Sequence, residues 1–367
     1  MKRNPTRIIN RPRLYSFLLK ISPMRILLVK MSSMGDIFHT FPALSDLKQQ
    51  HPHVEIDWVV EEGFSEIAAW HPAVTRVIPI QLRRWMKHKG YASWQAFKAW
   101  KKNLQLEHYD CVIDAQGLLK SGLISRCANS PVIHGYDKHS ARETIAHWFY
   151  TNSYAVDTRQ HAVERTRQLF GKAFGYQPTP LLNFGIKQQF THVVKNSRKL
   201  VFIIGTSWVT KLWSTSEWQA LAQIAIAQGY AVEIIWGSPS EQEIARKIIE
   251  QCPLATRPGE RMSITAIAEK LVEATGVIGL DTGFSHLAGA LETPTIALYG
   301  PTSPTKVGLI GPHTLNLQLS PPLDCMPCHK RQCQWLPEKS TDTPACMSQI
   351  KAAQAWASLQ EKMRAHS

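Results

Sequence analysis

With 367 residues, 44% of them hydrophobic and no low-complexity tract, the chain can bury the cores of two ordinary globular domains. A formal charge of +14, from 42 Lys+Arg against 28 Asp+Glu, points to anionic partners: nucleic acid, a phosphate-bearing substrate or an acidic membrane surface. No uncharged apolar run is long enough to span a bilayer. An odd number of cysteines, seven, and no secretory leader favour a reducing, cytoplasmic setting.

The first 23 residues stand apart, with six Lys/Arg and no acid. Leu14, Phe17, Leu18 and Ile21 would share one helical face. The stretch reads as a basic membrane-surface anchor, as a disordered arm, or as an extension upstream of a start at Met24. From Met24 strands and helices alternate. Strands are expected at Arg25–Lys30, Glu55–Val60, Arg76–Ile80 and Cys111–Asp114. Helices are expected at Ile37–Gln50, Gly63–Trp70, Ser93–Leu106 and Ala162–Phe174. A polar, proline-bearing stretch, Gly175–Lys199, follows as a domain boundary. The alternation then restarts, with strands at Leu200–Ile204, Ala231–Trp236, Gly276–Leu280 and Thr295–Leu298. The helices of this half are Thr215–Gln228, Glu241–Gln251, Ser263–Glu273 and Thr282–Leu291. Short apolar strands between helices mean βαβ units and parallel sheets. The pattern predicts an α/β protein of two Rossmann-like domains, residues 24–180 and 198–345, facing across a cleft. A last helix, Ile350–Lys362 within a 346–367 tail, is expected to pack back on the first domain.

Open parallel sheets bind ligands beyond the carboxyl ends of their strands. After the strand ending at Gly205, Thr206 and Ser207 offer hydroxyls and N–H groups to phosphate, and Lys211 a charge. Ser214 and Glu217 read as a capping box. After Trp236, Ser240 with Glu243 reads as the next cap, and Glu241 either accepts from a ribose diol or supports the helix dipole. Asp281, Thr282 and Gly283 open a helix that carries His286. Its N-terminus suits an anion, although Asp281 also reads as a plain N-cap. Met262 precedes the cap Ser263 and either packs on a flat base or belongs to the core. Together these loops describe a site for a nucleotide diphosphate. Both G-x-G-x-x-G and G-x-x-x-x-G-K-[ST] are missing, and "GLLKSG" at Gly117 is only a near miss, which excludes a dehydrogenase and a P-loop NTPase. A nucleotide diphosphate held without those motifs, between two Rossmann-like domains, suggests sugar transfer.

The stretches "KMSSMGDIFHTFPALSDL", "DWVVEEGFSEI", "IQLRRW", "DAQGLLKSG", "HAVERTR", "WGSPSEQE" and "DTGFSHLAGAL", from Met24 to Pro301, resemble the bacterial lipopolysaccharide heptosyltransferases, a glycosyltransferase family of two-domain GT-B fold. "DWVVEEGF", "RRW" and "HAVERTR" look most like the branch that adds the first heptose of the inner core. The resemblance implies ADP-L-glycero-β-D-manno-heptose as donor, Kdo2-lipid A as acceptor and inversion at the transferred carbon. The acceptor then belongs to the first domain and the donor to the second. It implies Asp36 as catalytic base, which read singly is also a helix cap. It places Thr206, Ser207, Lys211, Thr282, Gly283 and His286 on the diphosphate, with Asp281 beside it, Glu241 on the ribose and Met262 on the adenine. The loop departs from the family at Trp208, Val209 and Thr210. Arg83, Arg84, Lys87, Arg142 and Arg165 fall on acceptor-side positions, and arginine suits bidentate carboxylate binding; the departure there is Met86.

"RRWMKHKGYASWQAFKAWKK" reads as a surface for anionic lipid or as a solvated basic helix. The expected setting is the cytoplasmic face of the inner membrane, as a peripheral monomer with no cofactor and no metal. Cys325, Cys328, Cys333 and Cys346, spaced C-x2-C-x4-C-x12-C with His329 nearby, read either as a zinc or iron–sulfur site or as free thiols around a packed loop. A nucleic-acid binder would account for the charge but not for the carboxylate and phosphate loops, and no RNA motif appears. The nearer rival is a transferase acting later in the core or on another sugar nucleotide.

Overall fold

The computed structural model describes residues 23–337, 340 and 342–366; the basic arm lies outside them apart from its last residue. The first half runs β1 (Arg25–Val29), α1 (Met34–Phe38), α2 (Phe41–Gln50), β2 (Glu55–Glu61), α3 (Ser65–Ala69), β3 (Val74–Ile80), α4 (Leu82–Lys87) and α5 (Tyr91–Leu104). It continues through β4 (Cys111–Asp114), α6 (Leu119–Ser125), β5 (Ile133–Tyr136), β6 (Asn152–Tyr154) and α7 (Ala162–Phe174). The second half runs β7 (Asn196–Ile203), α8 (Thr215–Ala227), β8 (Ala231–Ile235), α9 (Pro239–Gln251), β9 (Ala255–Thr256), α10 (Ile264–Glu273) and β10 (Ala274–Leu280). It closes with α11 (Gly283–Ala290), β11 (Thr295–Tyr299), α12 (Pro304–Val307), β12 (Thr314–Gln318), α13 (Ala345–Ser348) and α14 (Ala352–His366).

Two parallel six-stranded sheets result, ordered β3-β2-β1-β4-β5-β6 and β12-β11-β10-β7-β8-β9. The central strands are apolar throughout because helices cover both faces. Ile26, Leu27, Leu28 and Val29 of β1 are fully buried, as are Leu200, Val201 and Phe202 of β7. Each sheet reverses its order beside its first strand, β1 against β4 and β7 against β10. Those switch points put the loops after β1, β7 and β10 at the cleft.

The sequence reading missed two strands in each half. β5 contains a glycine, β6 is largely exposed, β9 has two residues and β12 lies at an edge. Their pairing is decided by the neighbouring strand rather than by their own pattern. The single helix expected over Ile37–Gln50 is two. Pro42 sits in the first turn of α2, and its ring cannot follow a continuous helix from Phe38. The tail also differs from expectation. α14 packs on α8 and on β10 to β12, in the second half. Its Trp356, Leu359 and Met363 join that half's core, and Trp213 Nε1 donates to the Ile350 carbonyl 2.9 Å away.

The halves meet where α1 lies on α11. This contact needs glycine on both sides. A Cβ on Gly283 would fall 2.5 Å from Met34 Sδ, and one on Gly35 would fall 3.1 Å from the His286 ring. His161, the N-cap of α7, adds a second tie: its Nδ1 accepts from Val163 N and its Nε2 donates to the Gly308 carbonyl at 3.0 Å.

Candidate active site

On the first side of the cleft, the loop after β1 is fixed from beneath by β4. Gln116 Oε1 accepts from Met31 N at 2.7 Å, and its Nε2 donates to the Ser32 carbonyl. Lys30 Nζ donates to the Ala115 carbonyl at 2.9 Å. Ser33, not Asp36, is the N-cap of α1. Asp36 supplies the acidic half of a capping box: its Oδ2 accepts from the Ser33 N–H at 2.8 Å and the Ser33 hydroxyl at 2.9 Å. Its Oδ1 faces Lys30 Nζ at 3.6 Å and lines the cleft. Burial works to raise this carboxyl. The charge on Lys30, the neighbouring His39 and the Ser33 N–H outweigh burial and bring it down to about 2. Asp36 is therefore an oriented, fully ionised carboxylate at neutral pH.

Arg142 and Arg165 line the same cleft. Gly117, with φ +68°, lets the Arg142 backbone pass; a Cβ there would lie 3.2 Å from Arg142 N. Arg165 spans the cleft wall, with one terminal nitrogen donating to the Ser140 carbonyl at 2.7 Å and the guanidinium 5.6 Å from the centre of the Tyr136 ring. Arg83, Arg84 and Lys87 sit apart, on α4. Arg83 N donates to Glu61 Oε1, its side chain lies over Phe64, and none of the three lines the cleft.

The opposite side is built on β7 and β10. Lys211 Nζ pairs with Asp281 Oδ2 at 2.6 Å, and Thr302 Oγ1 donates to the same oxygen at 2.6 Å. Thr206 Oγ1 donates to the Asp281 carbonyl. Asp281 is thus a partner of the lysine, and Thr282 rather than Asp281 is the N-cap of α11. Trp208, where the loop departs from the family, lies between two cations, Lys211 at 4.5 Å and Arg331 at 5.2 Å from its ring centre. His286 is buried under α1, 3.9 Å from Asp281 Oδ1. Burial outweighs that carboxylate and lowers the imidazole to about 4, so the ring is neutral at pH 7.

A second pocket, of about 300 Å³, opens beside Thr206, Ser207, Glu241 and Thr282. Ser238, not Ser240, caps α9, and its hydroxyl accepts from Glu241 N. Glu241 Oε2 accepts from Gly237 N at 2.7 Å, with the side chain pressed over Gly205. Half-buried Met262 packs with the apolar cluster that spans both halves, and its neighbour Arg261 lines the pocket.

The sequence reading missed Lys30, His39, Gln116, Arg261 and Thr302. Lys30 and His39 lie inside its own opening motif, but their roles depend on β4 and on the opposite half. Cys325, Cys328, Cys333 and Cys346 all border one small cavity beside the loop after β7, where Thr210 Oγ1 donates to the Lys330 carbonyl. Burial and the other three cysteines push the Cys346 thiol up to about 11.

Residues 97–338 match the model of glycosyltransferase family 9 (heptosyltransferase). The chain is 43% identical over 322 residues to lipopolysaccharide heptosyltransferase 1 of Pseudomonas aeruginosa, covering 86% of this chain and 88% of that protein. It is 44% identical over 294 residues to lipopolysaccharide heptosyltransferase 1 of Escherichia coli K12, covering 78% and 91%. The solved structure of E. coli heptosyltransferase WaaC with ADP superposes with a TM-score of 0.81 at 36% identity, over 92% of this chain and all of that one. A second structure of that enzyme, with ADP-2-deoxy-2-fluoro heptose, gives 0.80.

Proposed function

Because this chain belongs to glycosyltransferase family 9, the heptosyltransferases, we propose that it moves heptose from ADP-L-glycero-β-D-manno-heptose to Kdo2-lipid A, the first heptose of the inner core, with inversion. The observation that carries this reading is the ionised Asp36 carboxylate set across one cleft from Lys211 and Asp281. The acceptor hydroxyl attacks the anomeric carbon in line, the bond from that carbon to the diphosphate oxygen breaks, and ADP leaves with one more negative charge. Asp36 takes the hydroxyl proton. A carboxylate this acidic is a weak base, so its proton moves late, once bonding to the anomeric carbon has made the hydroxyl acidic. Lys211 and the N-terminus of α11 stabilise the charge growing on ADP.

Glu241 is assigned to the ribose, with Thr206, Ser207, Thr282, Gly283 and His286 around the diphosphate and Met262 towards the base. Arg142 and Arg165 are assigned to the acceptor's carboxylates and phosphates. Arg83, Arg84 and Lys87 sit outside the cleft and are assigned to the acceptor's outer anionic groups, where the lipid enters. No helix among the described residues is long and apolar enough to cross a membrane. The proposed membrane contact is peripheral, on the cytoplasmic face of the inner membrane. Exposed Trp94, with Lys98 Nζ 3.8 Å from its ring centre, faces the anionic lipid.

The test is ADP release from ADP-heptose with and without Kdo2-lipid A, for the wild type and Asp36→Ala. The expected result is acceptor-dependent release that falls at least a thousandfold in the variant while ADP still binds. Release that ignores the acceptor would move the assignment to a later core step. Full activity in the variant would leave Asp36 as the acidic half of the α1 capping box.

A further inference from the structure

His39 lines the cleft near Asp36 and the reaction above does not use it. It follows α1, three residues after Asp36, and so lies on the same side of that helix. It is 5% exposed, and neither ring nitrogen has a hydrogen-bond partner. Two other imidazoles hold its ring edge to face, His286 from α11 at 4.7 Å and His161 from the start of α7 at 5.3 Å. These contacts fix the ring plane and leave the nitrogens unsatisfied. The charged and titratable groups facing it are Lys30 and Asp36 from its own side, His161 from α7 and His286 from across the seam. Burial and the two imidazoles keep the ring neutral, which leaves one N–H donor and one lone pair.

A buried polar nitrogen without a partner is destabilising, and His39 has two. The surrounding protein cannot turn to meet them. Both nitrogens of His161 are already engaged with Val163 and Gly308, and His286 is wedged against Gly35. The ring borders the cleft, the one side not closed by those imidazoles. His39 lines the same cleft as Asp36 and touches His286 of α11, the helix whose N-terminus is assigned to the diphosphate. In a nucleotide-sugar complex, the group that lies between a catalytic carboxylate and the diphosphate is the sugar being moved.

We propose that His39 is a specificity-determining residue that hydrogen-bonds a hydroxyl of the transferred sugar, holding its ring against the α1–α11 seam. This rests on the sugar-nucleotide reading of the cleft. Calorimetric titration of ADP and of ADP-heptose, without acceptor, tests it with the wild type, His39→Phe and His39→Gln. Phenylalanine keeps a ring against His286 and His161 but has no nitrogen; glutamine restores a donor and an acceptor. The expected result is unchanged ADP affinity in all three proteins. Affinity for the sugar nucleotide should fall roughly tenfold in His39→Phe and recover at least in part in His39→Gln. A His39→Phe protein that binds the sugar nucleotide as tightly as the wild type would reduce His39 to packing. An equal loss for ADP and for the sugar nucleotide would overturn the assignment too, because His39 would then act through the fold. A wild type that binds ADP but not the sugar nucleotide would overturn the sugar-nucleotide reading itself and this assignment with it.

Discussion

Replacing Lys30 with methionine tests whether the charge on this side chain sets the acidity of Asp36. Methionine keeps most of the apolar stem and removes the ammonium, whose Nζ lies 3.6 Å from Asp36 Oδ1. Two unit charges about 4 Å apart interact by about 4 kcal/mol at an effective dielectric of ~20. One pKa unit corresponds to ~1.4 kcal/mol, so full loss of the pair would raise the carboxyl by up to ~3 units. The Asp36 side chain is 24% exposed, and solvent screening trims the pair. The Ser33 hydrogen bonds survive the change. A rise of roughly 2 units is expected, from about 2 to about 4 or slightly above. Folded-state protonation of Asp36 would then enter the working range. The measurement is kcat/KM for ADP release between pH 4 and pH 8, beside the thermal midpoint at each pH. The wild type should show no acid limb from Asp36 in that range. Lys30→Met should lose activity towards pH 4 and approach the wild type at pH 8. Parallel profiles for the two proteins would refute the assignment of the low Asp36 pKa to Lys30.

Three further outcomes are expected. In Gly205→Ala a new Cβ would lie 2.4 Å from the Glu241 carboxyl carbon, so the flexible acid swings away and releases Gly237 N; ADP affinity by calorimetry should weaken roughly tenfold with little change in melting temperature. Arg167→Leu strands the buried Asp46 carboxylate, which accepts from the guanidinium at 2.7 and 3.1 Å, and denaturant unfolding should show a loss of about 3–5 kcal/mol. Asp36→Asn should be less stable than the wild type near pH 7 by roughly 2 kcal/mol. The folded carboxyl is depressed from 3.8 to about 2, so its stabilisation is present above the unfolded value and lost as pH falls to 2. Unfolding curves of the two proteins should converge there.

The parallel sheets were legible because a strand buried on both faces must be apolar along its whole length. Ile26 to Val29 and Leu200 to Phe202 announce themselves for that reason. The edge strands carry no such mark. β6 and β12 sit at the ends of their sheets, half solvated, and their extended backbone is imposed by β5 and β11. The tail helix misled the sequence reading for a related reason. Its apolar stripe says that it must be covered but not by which half, and the small residue that admits it, Gly276 on β10, lies far away in sequence.

The candidate site divides along the same line. Asp36, Lys211, Asp281 and the opening of α11 sit in short motifs whose local spacing already places them at strand ends. His39 is in one of those motifs, yet nothing local distinguishes it from a core histidine. Its environment comes from His161, more than a hundred residues on, and from His286 on α11 in the other half. The same holds for Arg167. The motif "HAVERTR" contributes two arginines two residues apart, and only the fold turns Arg165 into the cleft and Arg167 inward onto Asp46. On α7 a two-residue step rotates the side chain by about 200°, so the two cannot share a task. Sequence pattern thus marks chemistry built by one loop. Chemistry assembled across the seam becomes visible only when α1 and α11 are brought together, and there Gly35 and Gly283 matter beside Asp36, because a Cβ at Gly283 would collide with Met34 and one at Gly35 would crowd the His286 ring.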